Sequence, residues 1–268
     1  MTLTKAEKLF HYNESKSNPG YFWKWTLGSE TVYDKQIQMV EAVRDHNRVA
    51  VVGANGTGKD WQAARIMLWW QSVYNPAITV VLGPTHRQVS DIIWKEARSA
   101  YLSPRMPLGG QMYRTARWEH DDRHYAVGFS TDNEYNIQGF HSPNLLVIVT
   151  EAHNVEQTHI EAVKRLNPAR MLLTGNAFAS SGEFYDAFHG GSDLYHTIEI
   201  AASDTPNVQE GREVIPGMVT AGQVEERKRE WGEESALYIA SVLGRFPDNL
   251  EDAIVPRSLL LEAVERQL

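Results

Sequence analysis

Arg48-Val-Ala-Val-Val-Gly-Ala-Asn-Gly-Thr-Gly-Lys-Asp60 is the stretch from which the rest of the chain is read. An apolar β-branched run, Val49 to Val52, empties into a glycine-rich turn. An amphipathic helical pattern then begins at once with Trp61-Gln-Ala-Ala-Arg-Ile-Met-Leu68. Strand, loop and helix in this order, with Gly53, Gly58 and Lys59 at the G-x-x-x-x-G-K spacing, predict a phosphate-binding loop. The glycines, Gly56 among them, let backbone N–H groups curl around an anion with no Cβ in the way. The helix N-terminus adds its dipole, and Lys59 supplies a mobile positive charge for β- and γ-phosphates. Asn55 and Thr57 complete the loop expected to hold the nucleotide. The competing reading is a tight turn that merely contains Gly and Lys; the motif's required strand and helix, both present, favour phosphate binding. One residue departs from the pattern. Asp60 stands where Ser or Thr normally offers a hydroxyl to Mg²⁺.

The totals set the class. A chain of 268 residues makes one large domain or a domain with a small appendage. With 42% apolar and 10% aromatic residues it has an ordinary globular composition. No stretch approaches the roughly 18 apolar residues of a membrane helix, and the first residues carry no apolar signal core, so neither a membrane nor export is expected. Cysteine is absent, which excludes disulfides and thiolate chemistry and fits a reducing compartment. The formal net charge of −8 argues against a protein that coats nucleic acid, so any such contact has to be local.

Upstream of the loop, residues 1–30 mix charges with the aromatics Phe10, Tyr12, Tyr21, Phe22, Trp23 and Trp25, a cluster expected to pack across the back of the domain. Asp34 can cap a helix to about Asp45 with Ile37, Val40, Ala42 and Val43 on one face. Gln36 lies on that helix. It reads equally as a group for the adenine edge, since one amide donates and accepts at once, or as a solvated helical side chain. Downstream, Ile78 to Leu82 reads as a buried strand. Gly83-Pro-Thr-His-Arg-Gln88 then turns into a helix burying Val89, Ile92, Ile93, Trp94 and Ala97. Thr85, His86 and Arg87 stand at the carboxyl end of a strand, where open α/β sheets place ligands, or they form a capped turn. Ser103 to Gly110 is a loop. Arg114–Trp118 and His124–Ser130 suit a hairpin at the sheet edge around the turn Glu119-His120-Asp121-Asp122, whose His and Asp have no metal-site spacing.

The second half of the site starts at Leu145-Leu-Val-Ile-Val149, a continuous apolar run as a central parallel strand should be. It ends in Thr150-Glu151-Ala152-His153. In P-loop ATPases such a strand delivers a carboxylate to Mg²⁺, and the next acidic residue polarises the attacking water. Glu151 suits the second task, with a helix cap as the other reading. Thr150 occupies the place of the first carboxylate. Since a carboxylate at 60 and a hydroxyl at 150 keep the usual inventory with the places swapped, Asp60 and Thr150 are the expected metal contacts; a decayed site with Asp60 as a simple cap is the alternative. Met171 to Asn176 is a further short strand, whose Thr174 and Asn176 either sense the γ-phosphate or make ordinary turn contacts. Ser180 to Phe188 reads as a capped helix, and Leu194 to Ile200 as a strand. Val219–Trp231 and Glu234–Leu243 read as a helical lid, and a last helix runs from about Arg257.

Taken together, these stretches resemble the ATPase domain of a large terminase, the DNA-packaging motor subunit of tailed bacteriophages. The likeness rests on ordered segments covering most of the chain: Gln36, Gly53 to Lys59, Gly83 to Gln88, Gln138-Gly-Phe-His141, Val147 to Ala152, Thr174-Gly175-Asn176, Ser203-Asp-Thr-Pro-Asn207 and Gly244-Arg-Phe-Pro247. It implies an α/β fold of the ASCE, RecA-like P-loop type, with a mainly parallel sheet flanked by helices. The divisions are an ATPase core at 1–202, a lid at 203–250 and a C-terminal helix at 251–268. It implies ATP and Mg²⁺ as ligands, Lys59 and Glu151 as catalytic residues, and Thr174-Gly175-Asn176 as a coupling segment. The implied partners are double-stranded DNA, a portal protein, a small terminase subunit and further copies in a ring, in the host cytoplasm. Some members carry a trans-acting arginine where this chain has Gln138, which leaves Arg165 and Arg170 as candidates by position. Members usually continue into a nuclease domain, so an isolated ATPase domain or a separate nuclease is expected. A helicase-like P-loop ATPase and a slow or non-hydrolysing nucleotide-binding assembly module remain the competing functions.

Overall fold

The computed structural model describes residues 3–29, 31–131, 137, 139–190 and 193–248. Gln138 and the helix expected from Arg257 lie outside them. The described strands form one sheet: β1 (Arg48–Gly53), β2 (Ile78–Gly83), β3 (Gln111–Met112), β4 (Arg117–Asp121), β5 (His124–Ser130), β6 (Leu145–Val149), β7 (Arg170–Gly175) and β8 (His196–Ile200). Their order is β3-β4-β5-β2-β6-β7-β1-β8. From β5 to β8 every pairing is parallel, while β3, β4 and β5 pair antiparallel.

The parallel centre follows from composition. Val49 to Val52 and Leu145 to Val149 are β-branched or aliphatic at consecutive positions, so both faces of these strands must be covered, and all of these residues are buried. Helix Lys59–Val73 carries the chain from β1 across to β2, and Gln157–Arg165 from β6 to β7. Because successive side chains point to opposite faces, Val49, Val51, Ile148 and Leu172 join one core layer with Trp69, Ile66 and Met67. Ala50, Val52, Val147 and Leu173 join the other with Ile160 and Phe184. Strand β7 lies between β1, which leads into the phosphate loop, and β6, beyond whose end stands Glu151. This interposed strand makes the sheet the ASCE, RecA-like type expected from the sequence.

The N-terminal aromatics divide. Phe22 and Trp23 enter the main core, while Phe10 and Tyr12 are exposed and the rings of His11, Tyr21 and Trp25 lie near-parallel to one another. The segment expected as a lid is tied to the phosphate loop through a cluster of Tyr33, Ala54, Met218, Val219, Tyr238 and Val242. Its described helices are Pro206–Glu210, Ala221–Trp231 and the turn Ala236–Tyr238, which runs on as a π-turn to Leu243.

Several expectations need correction: the cap of helix Asp34–Asp45 is Tyr33 rather than Asp34, and the strand expected from Leu194 starts at His196. The first hairpin strand is Arg117–Asp121 rather than Arg114–Trp118, so Glu119, His120 and Asp121 belong to the strand and the turn tightens to Asp122-Arg123. Burial decides the register: Trp118 must face the core, where its Nε1 donates to Gly109 O at 3.1 Å. The helix expected over Ser180 to Phe188 shortens to Glu183–Asp186, because Gly182 at φ 88° stands at its start with no side-chain cap.

Candidate functional site

The phosphate loop connects β1 to helix Lys59–Val73. Gly56 and Gly58 take φ of 76° and 80°, values that only glycine adopts at no cost. At Gly56 a Cβ would also stand 3.2 Å from the Val219 backbone nitrogen, so the glycine lets the lid approach. That approach is cemented by backbone hydrogen bonds, Val219 N to Gly56 O at 2.9 Å and Asn55 N to Ser241 O at 2.9 Å. Tyr33 Oη donates to Thr57 O at 2.8 Å, and Thr57 Oγ1 to Ala54 O at 3.0 Å. Lys59 folds back over the loop and its Nζ donates to Gly53 O and Ala54 O, both at 2.9 Å. The loop lines a cavity of about 700 Å³ that also takes in Gln36, Asp60, Glu151, Asn176 and Met218.

The sequence places Asp60 and Thr150 ninety residues apart, and the fold brings them into contact. Thr150 Oγ1 donates to Asp60 Oδ1 at 3.0 Å. Gln88 joins them: its Nε2 donates to both Asp60 oxygens at 3.2 and 3.3 Å and to Thr150 Oγ1 at 3.4 Å. The first turn of helix Lys59–Val73, the segment after β2 and the end of β6 therefore meet here. Burial pushes the Asp60 carboxyl above its ordinary pKa, opposed by the hydrogen bond from Thr150 and by Lys59.

Glu151 lines the same cavity from the end of β6. Its backbone is left-handed, φ 50° and ψ 42°, a conformation that costs a non-glycine residue about 1–2 kcal/mol. Burial raises its pKa as well, with Lys59 acting in the opposite direction. Burial likewise lowers the Lys59 pKa, against the pull of Glu151 and Asp60. His153 Nδ1 stands 3.4 Å from Glu151 Oε2, yet this is not an ion pair. Burial holds the imidazole pKa down to about 4, and Nδ1 already accepts the Asn176 N–H at 3.2 Å, so the ring is neutral.

The Thr174-Gly175-Asn176 segment ends β7 beside both partners. Asn176 Nδ2 donates to Gly53 O at 3.0 Å and to Asn55 Oδ1 at 2.7 Å, a direct tie to the phosphate loop. Gly175 makes room for His153: a Cβ there would stand 2.9 Å from Nδ1. Gln36 is buried, accepts the Tyr33 N–H at 3.4 Å, and lines the cavity near Gly58.

Other expected residues are not brought to the site. Thr85 Oγ1 accepts the Gln88 N–H at 3.2 Å and His86 pairs with Ser90, so that segment is a capped turn from which only Gln88 reaches inward. Arg170 begins β7, at the far end of the strand from Gly175. Its guanidinium is committed to Val43 O, Arg44 O and Asn47 Oδ1, which closes the C-terminus of helix Asp34–Asp45. Arg165 is exposed at the end of helix Gln157–Arg165. Gln88, Tyr33 and His153 are the site residues that sequence reasoning missed. Gln88 had a signal, its place in the Gly83–Gln88 segment, but its partner could be known only from the strand order.

Solved structures share this architecture. The ATPase domain of the large terminase from Thermus phage P74-26 superposes with a TM-score of 0.63 at 16% identity, covering 85% of this chain and 97% of that one. The chain has the fold of a phage large terminase ATPase domain. The large terminase of a thermophilic bacteriophage in complex with ADP gives 0.62 at 13% identity, covering 82% of this chain and 54% of that one. The HK97 bacteriophage large terminase gives 0.55 at 15% identity, covering 81% and 51%. The chain thus spans the isolated terminase domain almost entirely, and about half of the longer terminase chains. No family model and no curated protein sequence matches it. Among the described residues no helix is long and apolar enough to cross a membrane.

Proposed function

We propose that this chain is the ATP-hydrolysing motor domain of a viral DNA-packaging terminase, driving double-stranded DNA into a procapsid in the host cytoplasm. The observation that carries this reading is the convergence of Lys59, Glu151 and Asn176 on one cavity, on a terminase fold. On nucleotide arrival Lys59 leaves the loop carbonyls for the β- and γ-phosphates, and the loop N–H groups hold the phosphate oxygens. Glu151 orients the attacking water and takes its proton as oxygen adds to the γ-phosphorus and the bond to the ADP oxygen breaks. Asn176, bonded to the loop at Asn55, transmits the change in loop geometry to β7.

Asp60 and Thr150 fit Mg²⁺, since a carboxylate and a hydroxyl in contact present the oxygen donors that this ion takes alongside phosphates. When bound there, Mg²⁺ supplies charge neutralisation at the β- and γ-phosphate oxygens. Without a cation, the Asp60 carboxylate would oppose a polyphosphate beside it.

The working assembly in this reading is a ring of copies at the portal protein, served by a small terminase subunit. The exposed Arg165 is the remaining named candidate for a finger reaching a neighbour's site, because Arg170 is occupied. ATP turnover measured with and without Mg²⁺, DNA and portal tests the proposal. Turnover should require Mg²⁺, vanish in Lys59→Ala, and rise per subunit with protein concentration as neighbours complete each site. The Asp60–Thr150–Gln88 cluster supports a second reading, a nucleotide-binding assembly module with slow or no hydrolysis. Nucleotide binding with no turnover under any of these conditions would favour it.

A further inference from the structure

The cavity continues past the phosphate loop along helix Lys59–Val73, to Trp61 and Arg65, and across to Glu96 and Ser99 of helix Trp94–Leu102. Arg65 is 8% exposed, an unusual depth for an arginine. Its guanidinium lies over the Trp61 ring, with Cζ 3.7 Å from the centroid. Nη1 donates to Trp61 O at 3.1 Å and to Glu96 Oε2 at 3.3 Å. Trp61 is braced edge-on by Trp23, with ring centroids 5.9 Å apart, and Trp23 Nε1 donates to Arg65 O at 3.4 Å. The stack is therefore fixed by three separate elements.

Its hydrogen bonding is incomplete. Nε is buried with no partner among the described residues. Burial lowers the guanidinium pKa to about 10, and Glu96 restores only part of it. A further acceptor is wanted here, but not an anion: the Glu96 carboxylate beside Nη1 would repel one, and the loop with Lys59 already serves phosphate. A neutral, flat group with a π face and ring acceptors suits this chemistry, because arginine planes stack on aromatic systems while donating in their own plane.

We propose that Arg65, held flat on Trp61 by Glu96, binds the purine base of a nucleotide whose phosphates occupy the loop. This rests on the nucleotide-binding reading above and adds the residue that holds the base. Titration calorimetry of the full chain with ATP and, separately, with inorganic tripolyphosphate distinguishes the two. Arg65→Ala should weaken ATP binding about tenfold and leave tripolyphosphate within about twofold. Arg65→Lys, which keeps the charge and the packed stem but loses the plane, should behave as Arg65→Ala does, with its melting temperature checking the fold. Unchanged ATP affinity in both variants, or equal loss for ATP and tripolyphosphate, would overturn the assignment. A wild-type chain that binds neither ligand would overturn the nucleotide reading and this inference with it. Wild-type binding of both, with no effect of Arg65, would overturn the inference alone.

Discussion

Thr150 Oγ1 donates a 3.0 Å hydrogen bond to Asp60 Oδ1, joining the end of β6 to the first turn of the phosphate-loop helix. The usual hydroxyl and carboxylate are both present at this junction, each in the other's place. If the pair serves a metal, Asp60→Ala should lose most Mg²⁺-dependent turnover, and Thr150→Ala should lose less, because a hydroxyl contributes no charge. The double exchange Asp60→Thr with Thr150→Asp should restore activity. Turnover and Mg²⁺ dependence unchanged in Asp60→Ala would end the swapped-site idea.

Glu151 combines a left-handed backbone with a half-buried carboxylate. Glu151→Asn should bind ATP, fail to hydrolyse it, and be more stable than wild type by about 1 kcal/mol, since Asn tolerates this conformation and carries no charge. Calorimetric melting beside single-turnover hydrolysis checks both halves. A variant that still hydrolyses ATP at the wild-type rate would remove Glu151 as the base.

The pH dependence follows from the same burial. A general base works only when ionised, and burial raises the Glu151 pKa, so the acidic limb of turnover should lie above the ordinary carboxylate range. The stability effect has the opposite sense. Raised carboxylates such as Asp60 and Glu151 favour the folded state while protonated, and this contribution is lost as pH rises through their raised values. His153, with a pKa near 4, should add no titration step to turnover around neutral pH. A limb that persists in Glu151→Gln and disappears in His153→Gln would reverse that assignment.

Asn176 is 6% exposed and holds both Gly53 O and Asn55 Oδ1. Asn176→Ala should cost about 1–2 kcal/mol of stability, because it strands buried polar partners, and should slow turnover more than it weakens ATP binding. Equal loss of both, measured by calorimetry and steady-state kinetics, would reduce Asn176 to a structural tie.

Trp69 is fully buried on the phosphate-loop helix, with Nε1 donating to Ser15 O at 2.7 Å. Trp69→Ala should destabilise by about 3–5 kcal/mol in denaturant unfolding, through a large cavity and an orphaned carbonyl. A loss below about 1 kcal/mol would mean that the N-terminal segment does not depend on this anchor.

The sequence alone determined what is local. Val49 to Lys59 names its strand, loop and helix because β-branched residues, glycines and a helical apolar period act over a few positions. Leu145 to Val149 announces a central strand by its unbroken apolar run. Glu151 and the Thr174–Asn176 segment were legible because each directly follows such a run. Tertiary structure decided whatever depends on which strands are neighbours. Only the order that sets β7 between β1 and β6 carries Asn176 to Asn55, and only the pairing of β2 with β6, beside the helix that follows β1, brings Gln88 to Asp60 and Thr150. The neutral state of His153, the commitment of Arg170 to a helix end, and the Arg65 stack on Trp61 are likewise set by burial and long-range partners. A local pattern fixes where a side chain leaves the backbone; desolvation and the partner it meets fix what that side chain can do.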